Sequence, residues 1–522
     1  MTLILHNLYG GGSAGRADRT YKSRPDLAPP RLNVTVPASS EIEKGYLFVA
    51  PYGLPFGDRT PAQPGPYILT NDGDLVWSGF GYFAPWTANF QAATLNGQDV
   101  LVAYEGAMNP LRGHGHGHHK ILDRSYGNLR EVRSGGHLLS DVHEFEIVDG
   151  KTALVGCYSP REIDLRPFGG DGEQTWILEY IFQEIDIETG DVLFEWHSLE
   201  HISPSESVLP LGSIAGSGHN SSSAWDYVHV NSVQKGEDGH YLLSGRHAST
   251  LYKVDGKDGS ILWRLGGLKS NFTLDTEEAA FAWQHHARYI PGETSAISLF
   301  DNSAGTGSTG KIIQLDLHNG SASLRQVFEP PHHIFAVSQG SVQILPNGNV
   351  LVNWGSAGQV TEYSANGTLI FHAFLDSGTR QLGTQNYRAF RGNWTGYSSE
   401  TPAVVAEQDR DGSTNVWVSW NGDTRTAYWR FKWNRLPVSG NSLDAVGSLK
   451  VSRGGFETMA TLPEGGQYKD ISLEAVDENG NVLTRIEAIR VNQKLDFSQD
   501  VSGQHSPGGF KDNNINNHWM DL

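Results

Sequence analysis

Histidine accounts for 21 of the 522 residues, about twice ordinary usage. Several sit beside other polar residues inside otherwise apolar, strand-like runs. His143 lies in Asp141-Val142-His143-Glu144-Phe145. His229 and Asn231 lie in Trp225-Asp226-Tyr227-Val228-His229-Val230-Asn231, where an i, i+2 spacing puts both on one face of a strand. Arg246 and His247 end a strand over Tyr241–Ser244, and His285 and His286 follow Phe281-Ala282-Trp283-Gln284. Any one of these alone reads as a structural histidine. As a set they suit chemistry on an anionic group. Neutral imidazole is a nucleophile and a general base near pH 7. Arg and Asn donate to a tetrahedral oxyanion, and a second His can protonate a leaving oxygen. Transfer of an anionic group through a covalent His is the natural reading. Metal binding by three His is the rival.

His114-Gly115-His116-Gly117-His118-His119 is the sharpest local feature. If extended, it puts His114, His116 and His118 on one face, which is expected to line a pocket. Trp86, Phe90, Trp225, Trp283 and Trp354 lie near the polar motifs. Each alone reads as core; together Trp86, Trp225 and Trp283 would shelve an aromatic ligand.

The elements that must hold these groups are strands. An Asx-Gly or Thr-Gly turn leading into a strand recurs at Asn71–Trp77, Glu188–Trp196, Lys257–Trp263 and, more loosely, Ala365–Phe371. A second hairpin unit, at Asn96–Val102, Asp149–Val155, Asp238–Ser244 and Asn347–Asn353, alternates with the first. A combined period of roughly 50–70 residues predicts a β-propeller, with room for about six blades. Its inner strands would project the His, Arg and Asn groups into one channel. From about residue 400 the texture changes to short aromatic strands such as Ala427–Trp433, which predicts a small immunoglobulin- or fibronectin-like sandwich. The fold class expected is all-β: an extended arm over 1–45, a six-bladed propeller over 46–398, a β-sandwich over 399–495 and a polar tail over 496–522.

These blocks carry a resemblance. Gly45–Tyr52, Asp141–Phe145, Trp225–Val233, Ser244–Thr250, Trp263–Gly267, Phe281–Arg288 and Ser338–Gln343 together resemble the fungal branch of the arylsulfotransferase (arylsulfate sulfotransferase, ASST-like) family. The resemblance covers residues 20 to 495, nearly the whole chain. It implies nucleotide-independent transfer of a sulfuryl group between phenols through a transient sulfohistidine, without a cofactor. By resemblance His285 matches the nucleophile, with His143, His229, Asn231 and Arg246 as its partners. It also implies secretion, with a signal removed ahead of Met1–His6. Three alternatives remain open: a cofactor-free cyclase or pericyclase acting on an aromatic or polyketide-derived product in the same pocket, a non-catalytic ligand-binding propeller, and a metal-dependent enzyme.

Composition narrows the rest. A net charge of −19 leaves little to replace phosphate counterions, so nucleic acid is not an expected partner. The expected partner is an aromatic small molecule, and the expected state a monomer. No apolar run reaches 18 residues, so no membrane span is expected. The single Cys157 rules out an intramolecular disulfide. Glycosylation sequons occur at Asn33, Asn220, Asn271, Asn319, Asn366 and Asn393. Gly305-Thr306-Gly307-Ser308-Thr309-Gly310-Lys311 mimics a phosphate loop, but Ile312 stands where Ser or Thr would reach magnesium and a strand follows. Asp409–Gly412 and Asp477–Asn481 read as turns, because they lack the distal glutamate of a calcium loop.

Overall fold

Runs of β-branched and aromatic residues separated by glycine turns become antiparallel strands. Asn96 (φ 50°) and Gly97 (φ 76°) show why. Both adopt the left-handed region, which a two-residue hairpin requires and which Asn and Gly reach at least cost. They close the hairpin between strands Trp86–Leu95 and Gln98–Met108, where Leu95 pairs with Gln98. The computed structural model describes residues 20–53, 61–83, 86–109, 112–303, 307–332, 334–376, 383–435, 445–463 and 468–493. The expected arm therefore falls partly, and the expected tail wholly, outside the described residues. So do Gly305 and Thr306 of the loop-like motif. Its Lys311 lies in the strand Thr309–Asp316, ion-paired with Asp301 at 2.8 Å.

The chain is all-β, built from many sheets. A first sheet holds strands Tyr46–Val49, Tyr67–Leu69 and Leu75–Ser78. A meander from Trp86–Leu95 to Asn128–Val132 and another from Ser140–Val148 to Val192–His197 are linked by one pair, Ser140 with Gly117. Three further meanders begin at Val230–Lys235, His285–Ile290 and Ser341–Ile344. Strand Leu32–Val36 adds to the edge of the last of these, and Phe390–Gly392 returns to pair with Tyr46–Val49. The opening strands pack in succession: Trp86–Leu95 against Ser140–Val148, that against Val230–Lys235, then His285–Ile290, then Ser341–Ile344.

Two four-stranded sheets follow, one over Ala403–Gln408, Thr414–Ser419, Glu457–Leu462 and Val491–Gln493, the other over Tyr428–Arg435, Ala445–Ser452, Tyr468–Val476 and Val482–Ile489. Their facing residues share one core. Trp429, Phe431 and Trp433 alternate inward while Arg430 and Lys432 pair outward with Glu474. Tyr126 ties this part to the rest, stacking on Trp77 and donating to the Gly422 carbonyl at 2.6 Å. Among the described residues no helix is long and apolar enough to cross a membrane. All six sequon asparagines are exposed.

One core residue has a measurable cost. His119 is fully buried, stacked on Phe145 with ring centroids 4.4 Å apart, and neither ring nitrogen makes a well-formed hydrogen bond. Burial pushes its pKa down to about 3, so it stays neutral in the fold. The unfolded chain takes up a proton near pH 6.5, so this residue's stability is complete above that pH and lost as pH falls towards 3. The loss is about 1.4 kcal/mol per pH unit within the window. His119→Phe is expected to raise the melting temperature at neutral pH and to flatten its fall between pH 6.5 and 4. Parallel acid melting curves for the two proteins would refute this.

Candidate functional site

The opening strands do not run straight into their sheets. Pairing register breaks between Ala88 and Gln91, Ser140 and Phe145, Val230 and Ser232, and His285 and Arg288. Asn89, His229, Trp283, His286 and Gln339 adopt left-handed φ values between 44° and 65°. Such bulges re-aim side chains, and strain of this kind is held only where surrounding contacts over-determine it. Of these residues, His229 and Gln339 border a cavity of about 650 Å³.

His143, His229, Arg246, His285 and Trp86 all line that cavity. Asn231 does not. It is fully buried behind the wall, its Nδ2 donating to the Gln284 carbonyl at 2.7 Å. The break at Val230 and the left-handed His229 undo the shared strand face that the i, i+2 spacing predicted. His114 reaches the cluster from its edge, with its Nε2 2.9 Å from Asp226 Oδ2. His116 and His118 depart from the expected shared wall, because strand Gly115–Leu122 begins after His114. His116 is exposed, and His118 faces Glu105 and Glu131, each 3.8 Å away. Trp225 belongs to the core, its indole donating to the Leu209 carbonyl at 3.0 Å. Trp283 lies off the cavity under the Arg246 guanidinium, 5.2 Å from its ring centre.

Two carboxylates, Asp141 and Asp226, join the histidines. Asp141 Oδ2 accepts from His143 Nδ1 at 2.5 Å and from its main-chain N–H at 2.8 Å; Gly115 N–H donates to Oδ1 at 2.6 Å. Burial alone would raise the Asp141 pKa, but His143 and these bonds outweigh it and hold it at about 2. Asp226 Oδ2 accepts from His229 Nδ1 at 2.5 Å and from His114, and lies 3.8 Å from His247 Nδ1. Its pKa too falls well below normal, burial being outweighed by the three imidazoles. The His143 and His229 rings meet edge to face, centroids 4.8 Å apart. Among the described residues nothing bonds Nε2 of either ring. Burial lowers the pKa of His229 well below normal and that of His247 to about 4. His114 moves up, because Asp226 outweighs its burial. Asp141-x-His143 and Asp226-x-x-His229 were legible as carboxylate–imidazole pairs in the sequence. Tyr52, Gln339 and Tyr387, which add polar lining, carried no comparable signal.

His285 is fixed differently. Its Nδ1–H donates to Asn302 Oδ1 at 2.6 Å, and the Asn302 amide is oriented by the Ala336 and Gln339 carbonyls. The tautomer thus leaves the lone pair on Nε2, which accepts the Gln339 N–H at 3.1 Å. Burial and the nearby Arg246 keep His285 neutral, its pKa well below normal. Burial also lowers the Arg246 pKa to about 10, still cationic at neutral pH.

Fold and site together define an all-β protein with a histidine-lined cavity that carries two arginines, Arg112 and Arg246, and two carboxylate–imidazole pairs. Residues 91–375 match the family described as Arylsulfotransferase (ASST), and the chain belongs to that family. No curated protein matches it. Among solved structures, a Bacteroides caccae protein of unknown function aligns at 12% identity and a TM-score of 0.38, over 66% of this chain and 98% of its own. Virginiamycin B lyase from Staphylococcus aureus aligns at 10% and 0.22 over 63% and 88%, and the GH43 protein BlXynB from Bacillus licheniformis at 9% and 0.30 over 78% and 90%.

Proposed function

We propose that this chain moves a sulfuryl group from an aryl sulfate to a phenol through a covalent histidine, inside a six-bladed β-propeller that carries a C-terminal immunoglobulin-like sandwich. Support for the architecture is the succession of packed opening strands and the return of Phe390–Gly392 to the first sheet. Gln343 joins the last meander to that return, bonding the Arg391 carbonyl at 3.0 Å and its N–H at 2.8 Å. Support for sulfuryl transfer is family membership. The observation that carries the mechanism is the His285 tautomer, which presents an uncharged Nε2 at the cavity wall.

In this reading Nε2 of His285 displaces the weak Gln339 contact, worth about 1 kcal/mol, and attacks sulfur. The N–S bond forms as the S–O bond to the donor phenol breaks. Arg246 holds the sulfuryl oxygens as charge develops. His143, entering protonated and paired with Asp141, gives its Nε2 proton to the departing phenolate. As free base it then takes the acceptor's hydroxyl proton, and the new phenolate breaks the N–S bond. His285 returns neutral and His143 protonated, so protons balance over the cycle.

The test is intact mass spectrometry after brief incubation with an aryl sulfate. The expected result is a sulfuryl-sized gain on the wild type with release of the phenol, and neither on His285→Ala. A second reading has one observation in its favour: the Gln339 N–H already occupies the His285 lone pair. A cofactor-free cyclase would use these groups as donors and acceptors and form no adduct. Folded wild type with neither adduct nor phenol release would select it.

A further inference from the structure

The two carboxylates at the cavity are not used alike. Asp141 serves one imidazole and two main-chain N–H groups, which is all that orienting His143 requires. Asp226 gathers three imidazoles from separate segments. His114 comes from just before strand Gly115–Leu122, His229 from just before Val230–Lys235, and His247 from the turn after Tyr241–Gly245. We infer that His114, Asp226 and His229 form a binding site for a divalent transition-metal cation of the zinc type, with His247 beside it.

The ligand atoms of these three residues lie within 4.8 Å of one another. Ligands around tetrahedral zinc at 2.0–2.1 Å sit about 3.3 Å apart. The present contacts of 2.5 and 2.9 Å to Asp226 Oδ2 therefore need open by less than about 1 Å. Imidazole with carboxylate is the donor set that borderline divalent ions prefer over calcium or magnesium. Asp226 is oriented by a second contact, its Oδ1 accepting the His229 N–H at 3.1 Å, as ligating carboxylates usually are. Asp226 and His229 line the cavity, so the remaining coordination position would face it. Three protein ligands with an open fourth position is the pattern of a site that receives an anionic oxygen. The site shares no ligand with the Asp141–His143 pair or with His285, although the His229 and His143 rings touch, so its occupancy does not require the transfer reaction.

Equilibrium dialysis of the full chain against micromolar zinc, followed by elemental analysis, tests this. One zinc per chain is expected for the wild type and for the paired control His116→Ala/His118→Ala. His114→Ala and His114→Gln are expected to weaken binding by about 100-fold. Thermal melting gives a second readout: zinc should raise the wild-type midpoint and leave that of a folded His114→Gln unmoved. Absence of stoichiometric zinc in the wild type would overturn the inference. So would binding unchanged by His114 substitution, or binding lost only with His116 and His118. His285→Ala separates the two proposals, since it should keep the zinc while losing the sulfuryl adduct.

Discussion

Asp141→Asn is expected to lower the rate of sulfuryl transfer by about 10²–10⁴-fold while leaving the protein folded. The carboxylate does two things for His143. Its Oδ2, 2.5 Å from Nδ1, fixes the tautomer that points Nε2 into the cavity as a base. Its charge, retained because the Asp141 pKa is held at about 2, stabilises the imidazolium formed when the acceptor phenol gives up its proton. Asparagine has nearly the same shape and its oxygen can still accept the Gly115 N–H, so packing is preserved. It can, however, donate its own N–H to Nδ1, which drives the ring proton to Nε2 and removes the base. The effect should fall on kcat far more than on KM for the donor, because Arg246 and the apolar lining are untouched. It should also be uneven across the cycle. A donor with a good leaving group needs little proton assistance, so the burst of phenol that marks formation of the sulfohistidine should survive. Transfer to an acceptor should slow by the full factor. Rapid-mixing kinetics with a chromogenic aryl sulfate separates the two phases. Equal loss in both would mean that Asp141 acts on something other than His143 basicity, and an unchanged rate would remove His143 from the reaction.

How far the sequence disclosed this arrangement varies with the range of the interaction. The turns were legible because Asn96-Gly97 states its backbone requirement in two residues. The inward alternation of Trp429, Phe431 and Trp433 follows directly from a period of two. His143, His229, Arg246 and His285 could be singled out because a polar residue inside an apolar strand is locally conspicuous. What failed was the assumption that strand alternation continues through such places. At Val230 the register breaks and His229 turns left-handed, so Asn231 points away from its supposed partner. His114 is separated from His116 by the start of a strand, and only His114 turns to the cluster. Trp225 follows the same rhythm of large residues as a pocket wall would, yet it fills the core beside Phe168 and Tyr227. Asp226 joins three imidazoles only because three segments fold over it, one of them more than a hundred residues earlier. Gln339 and Tyr387 meet the site through pairings that no local pattern announces.

Arg388 is the extreme case of that last kind, and its replacement carries the largest expected cost in stability. It lies 244 positions from Glu144, and both side chains are almost wholly buried. Its guanidinium donates to Glu144 Oε1 at 3.0 Å, to the His143 carbonyl at 2.7 Å and to the Asn231 carbonyl at 2.8 Å. Glu144 is completed by Arg288 at 2.7 Å and the Val233 N–H at 2.9 Å. One cation thus satisfies a carboxylate and the carbonyls of two strands whose neighbouring residues line the cavity. Arg388→Met keeps most of the volume but leaves both carbonyls unpaired and Glu144 with one arginine instead of two. Breaking a buried network of this kind costs about 3–5 kcal/mol. The pH dependence should change with it. Burial raises the Glu144 pKa, but Arg288 and Arg388 outweigh that and hold it below normal. Its contribution is therefore present above the ordinary carboxylate range and lost as pH falls through the folded value. Without Arg388 that folded value rises, so the variant should lose stability at a higher pH than the wild type. Glu144→Gln in the Arg388→Met background removes the stranded charge and should recover part of the loss. Urea unfolding at pH 7 and pH 5 measures all three proteins. If the single variant matches the wild type at both, the two arginines are redundant and the His143 and Asn231 carbonyls are held by their strands alone.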